Sequence, residues 1–109
     1  MTEEQRRELR RWVERARRMA RRQGHNPGFE TMAANGTAIG TCRRCGALVF
    51  VRPPGARGYR EDLGVVTGQG VETSCEYFAW LSEWRAAGNP PMAAWAREHP
   101  TPEFSRVRA

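Results

Sequence analysis

The chain has 109 residues, the length of one domain with a limited core, so a cross-link or a metal is expected to share in holding it together. Its 18 basic residues are all arginine and face 12 acidic ones, a net charge of +6; nine of those arginines fall within residues 1–24 beside only four glutamates, a local net of +5. No apolar run approaches the ~18 residues of a membrane span and the N-terminus lacks the apolar centre of a secretory signal, while three cysteines cannot all pair within one chain; a cytoplasmic protein without disulfides is expected.

Residues 2–23 read as a helix. Thr2 with Gln5 forms a capping box, Glu3 and Glu4 occupy the first turn, and Arg21 and Arg22 the last, as the helix dipole favours. Leu9, Trp12, Val13, Ala16, Met19 and Ala20 repeat at helical spacing and make one apolar stripe. Gly24 ends the helix as a C′ residue. Residues 26–72 then read as short strands and turns. Phe29–Ala33 and Thr37–Thr41 flank Asn35-Gly36, a hairpin signal. Ala47–Arg52 is a strand that Pro53-Pro54-Gly55 stops, and one further short strand is expected in the looser run through Tyr59, Leu63, Val65, Val66 and Val71.

A second helix is expected over about residues 74–87, capped by Thr73 with Glu76 or by Ser74, with Tyr77, Trp80, Leu81 and Trp84 on one face and Gly88 closing it. Pro91–Glu98 reads as a third, short helix that turns Met92, Trp95 and Ala96 inward, and residues 100–109 as a tail. The fold class is therefore α+β. A basic N-terminal helix (1–24) is expected to lead into a ribbon-like β region (25–76) that carries all three cysteines, and an aromatic-rich helical extension and tail (77–109) to complete one compact domain.

Cys42-Arg43-Arg44-Cys45-Gly46 carries the chemistry. Two thiolates two residues apart on a tight turn can face one ion, and a glycine after the second tolerates the positive φ such a turn commonly needs. Cys75, in the first turn of the second helix, meets the positive end of the helix dipole, which favours thiolate. Zinc takes four ligands, so the last comes from His25, His99 or a carboxylate; His25, directly after the first helix, is preferred. The competing readings are free buried thiols, a redox pair, or a histidine that merely caps the helix. A redox Cys-x-x-Cys usually opens a helix after a strand, whereas this pair lies between two strand-like runs.

Gly24-His25, Gly28-Phe29, Cys42-x-x-Cys45-Gly46, the apolar strand after it, the Gly-rich stretch and a lone Cys75 together resemble small zinc-ribbon-type proteins of actinobacteria and their phages. The resemblance covers about residues 10–76, and the Trp-rich chain from Tyr77 onward departs from it. Those proteins are mostly of unassigned function, so the resemblance implies a metal site and the host cytoplasm rather than an activity.

Catalysis is not expected. A closed four-ligand zinc leaves no place for an activated water, and an open three-thiolate zinc would need the glutamate of a deaminase, yet no His-x-Glu occurs. Residues 64–70 are Gly-rich but lack the lysine of a phosphate-binding loop, and no small-molecule substrate is expected. Two kinds of partner remain. DNA or RNA would meet Arg6, Arg10, Arg17 and Arg21 of the first helix with Arg43 and Arg44 of the cysteine turn, unless Glu–Arg pairs such as Glu3–Arg7 and Glu14–Arg18 leave a merely solvated face. A protein partner, in the manner of a phage-encoded regulator or inhibitor, would meet Phe78, Trp80, Trp84 and Trp95, unless these rings pack the two last helices on the first through Trp12 and Met19. The Ala-rich stripe of the first helix suits a protein core better than a membrane.

Overall fold

The structure is a computed structural model that describes residues 2–32, 36–54 and 63–106. Asn35 of the expected hairpin turn, Gly55, Tyr59 and the last three residues lie outside the described set. The fold is α+β: a long helix, a four-stranded antiparallel sheet and further helices at the C-terminal end.

Helix α1 (Glu3–Arg22) begins as the sequence indicates. The Thr2 hydroxyl accepts the Gln5 N–H at 3.1 Å, and the Gln5 side chain accepts the Thr2 N–H at 2.7 Å. Strands β1 (Pro27–Met32), β2 (Ala38–Cys42), β3 (Leu48–Arg52) and β4 (Val65–Thr67) pair in chain order, every neighbour antiparallel. Alternation along the strands decides which face meets the helix. Ala38, Val49 and Val51 point one way and pack on Leu9, Val13, Ala16 and Ala20 of α1, with Trp12, Phe29, Val66 and Val71 at the margin. The two alanines of α1 are wholly buried, so small side chains let helix and sheet approach closely. Ile39 (42% exposed) and Leu48 (52%) lie on the opposite, open face.

One short helix escaped the sequence pattern. The end of the looser run, where at most a short strand is expected, forms α2 (Gln69–Glu72), tucked against β3. A side chain at Gly70 would collide with the buried Val49, so glycine is needed there for close approach.

Helix α3 (Cys75–Ala86) is capped by Ser74, the second of the two caps foreseen. Its hydroxyl accepts the Tyr77 N–H at 3.0 Å and donates to the Glu103 carbonyl at 2.6 Å, while its own N–H reaches the Phe104 carbonyl at 2.7 Å. Replacing Ser74 by Ala removes both hydroxyl bonds from a buried site and is expected to cost about 1–2 kcal/mol. A thermal midpoint equal to that of the parent would contradict the cap.

Helix α4 (Met92–Glu98) buries none of its residues. Met92, expected to face inward, is exposed, because α4 turns only Trp95 and Ala96 partly inward. Trp12 and Met19 do not receive the last helices either; they line a shallow cleft with Arg15 and residues 63–66. The segment expected to be a tail is docked instead. Residues 103–106 cross the ends of α1 and α3, with Phe104 edge-on to Tyr77 and Arg106 paired with Glu76.

Candidate metal centre

Three parts of the fold deliver four side chains to one point. The Gly24 turn that ends α1 presents His25, whose N–H returns to the Ala20 carbonyl at 3.0 Å. The β2–β3 turn presents Cys42 and Cys45. It is closed by Gly46 N–H on the Cys42 carbonyl (2.9 Å) and Cys42 N–H on the Ala47 carbonyl (2.8 Å), and Gly46 has the positive φ (80°) expected of it. Cys75 opens α3, held by its N–H on the Gln23 carbonyl at 2.8 Å. The three sulfurs and one imidazole nitrogen lie within 4.8 Å of one another, a group that could hold a metal ion.

The imidazole is oriented for the task. His25 is buried and its Nε2 sits 2.7 Å from the Thr73 carbonyl. A carbonyl only accepts, so Nε2 carries the proton and donates it. The lone pair is thereby left on Nδ1, 3.3 Å from the Cys45 sulfur. A metal-ligating histidine is commonly fixed in this way, through its second nitrogen. The Cys42 and Cys75 sulfurs are 4.0 Å apart, and the Asn26 N–H reaches Cys42 Sγ at 3.4 Å.

The thiols are unequal. Burial pushes Cys42 up, but the N–H groups of Asn26, Cys45 and Arg44, together with His25, outweigh it and bring Cys42 down to about 6. Burial first, and then the neighbouring sulfurs of Cys42 and Cys75, push Cys45 up to about 12. Burial likewise raises Cys75, with Cys42 adding to the rise. A cation among the sulfurs would reverse these penalties, because it favours every thiolate at once.

The other expected site residues are distributed differently. Among the arginines, Arg10 reaches Glu3 at 3.4 Å, Arg17 pairs with Glu14 and lies over the Phe29 ring, and Arg44 donates to the Gly24 carbonyl at 3.4 Å. Arg6, Arg21 and Arg43 are exposed, Arg43 lying over Gly28. Of the aromatic residues, Phe78 packs against the buried cysteines and Ala47. Trp80 is buried and donates to the His99 carbonyl at 2.8 Å, and Trp84 donates to the Pro90 carbonyl at 2.7 Å. Trp95 stacks on His99 at 3.6 Å, which keeps the second histidine away from the cysteines.

Gln23 is a residue the sequence did not single out. It is 2% exposed, and its side chain bonds Ser105 Oγ (2.7 Å), the Val71 carbonyl (3.3 Å) and the Arg106 N–H (2.7 Å). A glutamine at a helix end carries no local signal of such a role, since its partners lie far along the chain. No described helix is long and apolar enough to cross a membrane. Compared with known proteins, the chain matches no family model, no curated protein and no solved structure.

Proposed function

We propose that His25, Cys42, Cys45 and Cys75 hold one structural zinc ion, and that the chain is a small non-enzymatic protein that binds nucleic acid. The convergence of four such ligand atoms on one point carries the reading. Zinc bonds of about 2.3 Å to sulfur and about 2.0 Å to nitrogen put tetrahedral sulfurs about 3.8 Å apart, and sulfur and nitrogen about 3.5 Å apart. The Cys42–Cys75 separation of 4.0 Å and the Cys45–His25 separation of 3.3 Å lie close to these edges. Three soft thiolates and an imidazole suit zinc better than the oxygen-seeking cations. With four protein ligands the shell is closed and leaves no position for a reactive water, hence the non-enzymatic reading. The arginine excess on α1 supports a phosphate-rich partner, while Trp80 and Trp84, candidates for a protein partner, spend their N–H groups within the chain.

Elemental analysis of purified protein should find one zinc per chain, lost in Cys42→Ser. Protein that is fully folded without any metal overturns the proposal. Zinc titrated into metal-free protein near pH 7 is expected to release close to three protons. Without the ion the turn opens, Cys42 loses the donors that depress it and returns to the ordinary thiol range near about 8.5, so all three thiols start protonated. Calorimetry in buffers of different ionisation enthalpy counts them. Release of two protons would mean that Cys42 is already thiolate in a site that persists without metal.

A further inference from the structure

We infer that duplex nucleic acid is held through its phosphates by the outward ridge Arg11, Arg18 and Arg22 of α1, rather than by the flank that includes Arg10 and Arg17. This rests on the nucleic-acid reading and says which surface would serve it.

Ion pairs and a ring contact engage the middle of the flank, Arg10 and Arg17, and leave only its ends, Arg6 and Arg21, without a carboxylate partner among the described residues. Glu3 lies within 4.0 Å of Arg7 and Arg10, and Glu14 takes Arg17 rather than the expected Arg18. Arg15 is laid over the Trp12 ring and Arg17 over Phe29. Among the described residues, Arg11, Arg18 and Arg22 have no carboxylate partner, and all three are exposed. At 100° per residue they fall on one line, roughly opposite the buried line of Leu9, Val13, Ala16 and Ala20. From Arg11 to Arg22 the ridge spans about 16 Å of helix.

The ridge is also preformed. The sheet packs on the inner side of α1, so the arginines are displayed on a helix that is already formed. Guanidinium groups suit phosphate oxygens and keep their charge at any working pH. Single strands are usually gripped by aromatic platforms, and no exposed position of α1 is aromatic. An anionic membrane would require large apolar side chains beside the charges, and the outward face offers none. Contacts from the ridge to phosphates carry no sequence information, so binding through it should be indifferent to sequence.

Fluorescence anisotropy of the zinc-loaded full chain tests this with a mixed-sequence DNA duplex, a single strand of the same length and vesicles containing anionic lipid. Three phosphate contacts give a salt slope steeper by about 2.7. Arg11→Gln/Arg18→Gln/Arg22→Gln should therefore lower the slope by about that much and weaken binding about tenfold or more at about 50 mM salt. Arg10→Gln/Arg17→Gln should change the slope by less than about one. Far-UV circular dichroism and zinc content check that both variants fold. If the wild type binds the duplex but the triple variant keeps its affinity and slope, the ridge is the wrong surface. Tighter binding to the single strand or to vesicles also overturns the inference. Wild type that binds no nucleic acid at low salt removes the underlying reading as well.

Discussion

Stripping the proposed zinc with a strong chelator is expected to unfold the β2–β3 turn and release α3 from the end of α1. The magnitudes decide this. Zinc binding by small zinc domains is worth about 10–16 kcal/mol near neutral pH and is largely folding free energy. An ordinary domain has about 5–15 kcal/mol of total stability, and this chain sits at the small end. Among the described residues its main core has seven fully packed apolar side chains, three of them alanine. Removing the cation also leaves three sulfurs crowded within 4.8 Å, with burial pushing Cys45 and Cys75 toward the protonated thiol. The loss should appear as collapsed amide dispersion in NMR spectra and a fall in far-UV ellipticity, both restored by adding zinc. Cys75→Ser should behave like the chelated protein. Equal thermal midpoints with and without the ion would refute the expectation.

Gln23→Ala is expected to cost about 2–4 kcal/mol, as much as many core truncations, although it removes no ligand. The residue is buried, and its amide joins the end of α1 to Val71, Ser105 and Arg106. Each buried group left without its bond costs about 1–3 kcal/mol, exposed neighbours recover part of that through water, and the vacated volume adds a cavity term. The thermal midpoint should fall by about 10–20 °C. Amide exchange at residues 103–106 should accelerate more than elsewhere, because the segment loses its bonds to the Gln23 amide and leans on Ser74, the Phe104–Tyr77 contact and the Arg106–Glu76 pair. A midpoint within a degree or two of the parent would show that Gln23 is a bystander.

What could be read from the sequence was local. The capping box at Thr2, the stripe from Leu9 to Ala20, Gly24, and the short strands each follow from a few neighbouring residues. The four clustered side chains were legible for a different reason: chemistry limits what two closely spaced cysteines, a third cysteine and a nearby histidine can do together. What stayed hidden depends on contacts across the chain. Glu14 chose Arg17 over Arg18, two pairings that helix spacing permits almost equally. Met92 shared a helix face with Trp95 but stays 39% exposed. The 103–106 strap is fixed by its backbone carbonyls on Ser74, which every sequence offers alike, and by side-chain partners as distant along the chain as Gln23.

The indole bonds have an optical consequence. Trp80 and Trp84 close their N–H groups on carbonyls of His99 and Pro90, and Trp95 rests on His99, so three of the four indoles are held by contacts made within one helical hairpin. Intrinsic emission from the chain is therefore dominated by that hairpin. It can stay bright and unshifted while the cysteine turn comes apart, and a fluorescence melt alone would overstate how much of the molecule survives.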